Sequence, residues 1–138
     1  MKSKLFILGS ILFVGVIAGG CAKQSTKKTA KGLNKVHFDY DQSTVKAEYE
    51  DELKGNAEWL KSHSSDNLTI EGHADERGTY EYNIALGDRR AKSAKRYLTN
   101  AGVSTKRLET VSYGEERPAA KCHDEGCRWK NRRAEFVK

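Results

Sequence analysis

The chain has 138 residues, 37% of them hydrophobic and 32% charged, and a formal net charge of +6. That length holds one domain of ordinary size and little else, and the composition describes a soluble, highly hydrated domain. The positive charge is mild, and no Lys/Arg stripe interleaved with aromatics offers a surface to nucleic acid.

The first twenty residues stand apart. Met1-Lys2-Ser3-Lys4 is a positive n-region, Leu5 to Ala18 is an apolar run, and Ala18-Gly19-Gly20 precedes Cys21. The run is shorter than the roughly 18 to 20 residues that cross a bilayer, so residues 1–20 are expected to be a secretory signal. Small residues directly before Cys21 resemble the lipobox of bacterial lipoproteins, in which that cysteine becomes the lipidated first residue; Ala18 stands where the pattern usually has Leu. The alternative is an ordinary cleaved signal with an incidental cysteine. Ala22 is not the Asp associated with inner-membrane retention, which points to the outer membrane. From residue 21 to 35 the chain is polar and basic, carrying Lys23, Lys27, Lys28 and Lys31. It reads as a flexible tether with a reach of about 20 Å.

The folded domain is expected over 36–138. Val36, Phe38 and Tyr40 alternate with polar neighbours in the period of a strand. A helix follows, capped by Ser43 or Thr44, with Val45, Tyr49, Leu53 and Leu60 on one face, and His63-Ser64-Ser65-Asp66-Asn67 ends it. Leu68 to Ala74 alternates again and forms a second strand. Tyr82 to Ala101 is the strongest helix: Ile84, Gly87, Ala91, Ala94, Leu98 and Ala101 recur at steps of three and four, and Gly102 stops it. Arg107 to Tyr113 is a third strand, Gly114 to Cys127 a loop, and Ala134 to Val137 a short fourth strand. Strands alternate with helices in one domain, so the reading is an α/β (α+β) two-layer sandwich, a mixed four-stranded sheet with helices packed on one face.

With Cys21 assigned to lipid, Cys122 and Cys127 remain. An exported protein meets an oxidising compartment, so a disulfide between them is the first expectation and a free pair the second. A zinc site with His123 comes last, because two cysteines and one neighbouring histidine lack a second pair of ligands at suitable spacing.

The densest chemistry lies in Gly72-His73-Ala74-Asp75-Glu76-Arg77-Gly78. A metal site on His73 and Asp75 lacks further ligands, since Glu76 would not join them; no metal or other cofactor is expected. Hydrolysis could pair Asp75 with Glu71 or Glu76, but the loop's arginine would hold the acids charged, and no activated nucleophile is present. The third reading is a receptor for a zwitterion. At about 100° per residue Asn83, Leu86 and Arg90 fall within about 60° of one another at the edge of the apolar helix face, while Arg89 points to water. Asp75, just past the strand end, and Arg90 would then face a common space. They could hold an ammonium and a carboxylate, or simply pair with each other.

Four stretches carry a family resemblance: FDYDQSTVK at 38–46, TIEGHADERGTYEYNIALGDRRAKSAKRYL at 69–98, RLETVSYGEERP at 107–118 and KNRRAEF at 130–136. Together they resemble the OmpA-like carboxy-terminal domain family, and within it the peptidoglycan-associated lipoproteins of Gram-negative bacteria. The resemblance implies non-covalent peptidoglycan binding rather than catalysis. It implies that Asp75 and Arg90 hold the meso-diaminopimelate of the stem peptide, with Phe38, Asp39, Ala74, Asn83 and Leu86 around the pocket, and that His73 and Arg133 are structural. It implies a partner in TolB and the Tol system, and a chain tying the outer membrane, through the acyl chains on Cys21, to the wall. The rival is a wall-active hydrolase using Glu71, Asp75 or Glu76. The Cys122/Cys127 loop departs from the family pattern.

Overall fold

The structure, a computed structural model, describes residues 32–121 and 123–138. The expected signal, Cys21 and Cys122 lie outside the described residues, as does all but the end of the tether. No helix among the described residues is long and apolar enough to cross a membrane.

The frame is a helix laid across a parallel pair of strands. Strand β2 (Leu68–His73) runs beside β3 (Leu108–Gly114), and helix α2 (Tyr80–Asn100) connects them. Strand β4 (Arg133–Val137) lies antiparallel to β2, and β1 (Val36–His37) antiparallel to β4, which gives the order β1-β4-β2-β3. Helix α1 (Glu50–Ser62) joins α2 over the same sheet face: Leu53, Ala57 and Leu60 share one core with Ile70, Ala91, Ala94, Leu98 and Phe136. The sandwich with a mixed four-stranded sheet is therefore the fold. Ordered packing begins before Val36, because Leu33 is buried and Asn34 exchanges two backbone hydrogen bonds with the Asn56 amide, at 2.8 and 2.7 Å.

Helix α2 lies close to the sheet because a glycine on each surface, Gly87 and Gly72, meets the other at the crossing. A Cβ on Gly72 would stand 1.8 Å from the Gly87 carbonyl oxygen, and one on Gly87 would stand 2.3 Å from Ser112 Oγ. Thr79 caps α2, its Oγ1 accepting the Tyr82 N–H at 3.2 Å, so the helix starts two residues earlier than its periodicity indicates.

Three expectations are corrected. Neither Ser43 nor Thr44 caps α1: the chain passes through a short 3-10 turn at Ala47–Tyr49, and α1 begins at Glu50 without a side-chain cap. Glu50, Asp51 and Glu52 place negative charge at the helix start instead, which the helix dipole favours. The first strand ends at His37, since the chain turns at Asp41 with φ +55°. Finally, the stretch read as a loop contains the start of helix α3 (Glu125–Asn131), whose seven residues hold a glycine and two basic residues and show no apolar period.

Two glycines of opposite environment test this packing. Gly55 lies within α1 with nothing within 4 Å of an added Cβ, so Gly55→Ala should raise the urea-unfolding free energy by about 0.5–1 kcal/mol. Gly72→Ala forces the helix off the sheet and should lower it by about 3 kcal/mol or prevent folding.

Candidate functional site

Strand β2 ends at His73, and two residues later the Asp75 carboxylate turns back into the fold, only 4% exposed. Its Oδ1 accepts the Arg77 backbone N–H and Arg77 Nε, both at 3.1 Å. Its Oδ2 accepts Arg77 Nη2 at 2.6 Å and Arg132 Nη1 at 3.2 Å. Burial pushes the Asp75 carboxyl up, but these hydrogen bonds outweigh it and hold the group below the usual aspartate range.

Arg90 is wholly buried on α2. Its guanidinium donates to three backbone carbonyls: Gln42 at 2.8 Å, His73 at 2.7 Å and Asp39 at 3.1 Å. Burial pulls its pKa down to about 10, against the opposing pull of Asp75, so the charge persists at neutral pH. Arg90 and Asp75 do not form an ion pair; each has other partners. They nevertheless line one cavity of about 140 Å³, with Asn83 and Leu86 from α2 and Tyr40, Asp41, Arg77, Gly78, Tyr82 and Arg132 around them. Asn83 donates its amide to the Asp75 carbonyl at 3.2 Å and to Glu115 Oε2 at 2.5 Å, while its Oδ1 is buried without a hydrogen-bond partner. A buried acceptor with no donor suits a ligand that brings one.

Four of the expected residues, Asp75, Arg90, Asn83 and Leu86, thus meet in one cavity. Phe38 and Asp39 support it: the Phe38 ring lies 5.3 Å from the Arg90 guanidinium, and the Asp39 carboxylate points away to Lys46 at 3.2 Å. Ala74 lies instead on a neighbouring cavity of about 400 Å³ with Glu76, Glu115, Pro118 and Lys121.

Arg132 is the residue that sequence reasoning missed. It closes α3, donates Nε to the Phe38 carbonyl at 3.0 Å, and bridges Asp75 to Glu125, whose Oε1 lies 2.5 Å from Nη2. Its neighbour Arg133 starts β4 and turns to the other face, where its Nε meets Glu135 at 2.7 Å. The signal was the Arg132-Arg133 pair at the head of a strand, since alternation sends successive side chains to opposite faces.

His73 also faces away from Asp75. It is buried beside Glu71, 3.8 Å from its Nε2, and its ligand-type atoms, with those of Glu71 and Glu135, lie within 4.8 Å of one another. Arg133 and Lys35 already neutralise Glu135, at 2.7 and 3.0 Å, and Arg117 stands 4.0 Å from Glu71. Those cations occupy the surroundings in which a metal's charge would have to be accommodated. Cys127 is disulfide-bonded, which removes the thiolate a zinc site would need; His123 is exposed, 3.6 Å from Glu76.

The acids of the hydrolase reading do not act together. Glu71 lies behind the sheet, and Glu76 is held below the ordinary glutamate range: burial raises it, but the Arg128 hydrogen bond at 2.7 Å lowers it further. A general acid working at neutral pH needs the opposite shift.

Residues 37–132 match the model of the OmpA family. A peptidoglycan-associated lipoprotein of Brucella melitensis is 43% identical over 125 residues, covering 90% of this chain and 74% of that one. The crystal structure of the peptidoglycan-associated lipoprotein from Burkholderia pseudomallei superposes with a TM-score of 0.73 at 45% identity, covering 75% of this chain and 87% of its own. At 21% identity the C-terminal domain of Helicobacter pylori MotB, with a TM-score of 0.68 over 76% of this chain and 83% of that one, shares the fold alone. The chain therefore belongs to the OmpA family, in the branch of the peptidoglycan-associated lipoproteins.

The buried histidine gives the domain a pH dependence. Burial, aided by Arg133, depresses His73 from 6.5 to about 3, so the unfolded chain binds the extra proton between those values. Stability is then complete above pH 6.5 and declines on acidification, with a slope approaching ~1.4 kcal/mol per pH unit for one proton. His37 is shifted the same way, whereas Glu135, held near 2, contributes only below about pH 4.5. Urea unfolding between pH 6.5 and 4.5 should show the decline, and His73→Gln should flatten most of it.

Proposed function

We propose that the chain is an outer-membrane lipoprotein that grips peptidoglycan without covalent attachment and ties the membrane to the wall. Cys21, outside the described residues, would carry the acyl chains; two or more chains anchor stably where a single one does not. The ligand is the zwitterionic end of meso-diaminopimelate on the stem peptide. Its ammonium goes to Asp75, with the Asn83 Oδ1 as a second acceptor, and its carboxylate lies toward the guanidinium side of the cavity. Coupling to TolB and the Tol system belongs to the same reading and rests on the family.

The observation that carries the proposal is a small solvent-reaching cavity in which a buried carboxylate, three guanidiniums and an unsatisfied amide oxygen converge. Neutral sugars or apolar ligands bring no charge of their own to exchange with these groups. A hydrolase is less well supported, because Asp75 and Glu76 are both held ionised by arginines.

Arg90 serves through structure: it fixes the carbonyl ends of three segments and so sets the cavity's walls. Asp75→Asn keeps the shape and removes the charge. Wild-type protein should co-sediment with diaminopimelate-containing sacculi and release no soluble muropeptides. Asp75→Asn should lose roughly tenfold or more in affinity with an unchanged circular dichroism spectrum. Arg90→Ala should lose binding and about 3 kcal/mol or more of stability together, since it leaves buried carbonyls without donors. Undiminished sacculus binding by Asp75→Asn would remove the mechanism.

A further inference from the structure

Asp75 is fully engaged before any ligand arrives. Its two oxygens accept four donors, two each, which matches the about four lone-pair sites of a carboxylate. A ligand ammonium can reach it only by displacing one of the two guanidiniums. Arg132 is held on three sides, by the Phe38 carbonyl, Asp75 and Glu125, and its side chain is 7% exposed. Arg77 is the looser partner. Its side chain is 29% exposed and rests on the Tyr40 ring at 3.8 Å. Its second acid, Glu125, lies at 3.3 Å on the surface, and the next residue is Gly78 with φ +108°. A glycine in that backbone region lets the loop reorient where other residues would resist.

We propose that Arg77 is the specificity-determining residue of this cavity: it occupies Asp75 as an internal substitute for the ligand's cation and yields only to a ligand that brings a carboxylate of its own. The inference rests on the zwitterion reading above. A simple amine that displaces Arg77 exchanges one cation on Asp75 for another and leaves the Arg77 guanidinium without its buried partner, in a cavity that already holds Arg90 and Arg132. A zwitterion exchanges both ends at once: its ammonium replaces Arg77 on Asp75, and its carboxylate receives the freed guanidinium in the forked geometry arginine favours. The one displaced pair is replaced by two in the second case and by only one in the first, with Arg77 left unmatched by the ligand. Stem peptides ending in an α-amino-carboxylate are therefore accepted, and those ending in a plain primary amine are rejected. Rejection here comes from a broken internal pair, not from a missing contact to the ligand.

The test is calorimetric titration of the mature chain with two disaccharide tetrapeptides that differ in one residue, meso-diaminopimelate or L-lysine. Wild type should prefer the diaminopimelate form. In Arg77→Gln the ratio of the two affinities should fall roughly tenfold or more, through weaker binding of the first ligand and stronger binding of the second. Arg77→Lys, which keeps the charge, should retain most of the preference, and thermal melts establish that the variants are folded. A merely structural Arg77 would weaken both ligands alike and leave the ratio unchanged, and that result overturns the inference while the zwitterion reading survives. Wild-type failure to bind either ligand overturns both.

Discussion

One buried guanidinium holds the site together. Arg90 reaches from α2 through the end of the core and takes the carbonyls of Asp39, Gln42 and His73, joining the loop after β1 to the end of β2. A charge buried at this depth is tolerated because it is hydrogen-bonded on three sides and lies near Asp75. The consequence is positional. Asp75 follows His73 by two residues, so the same contact that ends β2 also sets where the carboxylate stands. Tyr40 and Asp41 lie in the segment held at the other end, and Tyr82 donates its hydroxyl to Asp41 across the cavity mouth.

Around that anchor the charges form a closed chain: Glu125 accepts from Arg132 and Arg77, and both of these donate to Asp75. Helix α3 therefore matters more to the cavity than its length suggests. It supplies Glu125 at its first turn and Arg132 at its end, and Arg128 between them reaches Glu76. Cys127, on the same helix, is disulfide-bonded. Asp75, Glu76 and Glu125 are each held below the ordinary carboxylate range by these arginines.

The parts of this arrangement that sequence made legible are those with a period. The small residues Gly87, Ala91 and Ala94 announced a helix lying close on a sheet, and Asn83, Leu86 and Arg90 fell on one edge of it by angle alone. What sequence left open was partnership. Asp75 and Arg90 were the obvious opposite charges, yet each is satisfied elsewhere, because Arg77 is two residues from Asp75 and backbone carbonyls are nearer to Arg90. Helix α3 and Arg132 were hidden for a related reason: a seven-residue polar helix has no apolar stripe, and its place depends on ion pairs to residues about fifty positions away.

A binding site that must break an internal ion pair before it forms new ones has a particular energetic character. The ligand's charges are desolvated on entry, and the protein's own pairs must be broken before new ones form, so most of the Coulomb gain is offset. On the proposed reading, what remains is discrimination by shape and charge order. For the proposed tie between a membrane and a wall that both grow and remodel, such an economy is mechanically sensible: many weak, selective attachments hold a surface firmly in aggregate while any one of them can release. Leaving Asp75 buried and unpaired in the free protein, ready for a ligand, would cost about 3–5 kcal/mol out of a domain stability of about 5–15 kcal/mol.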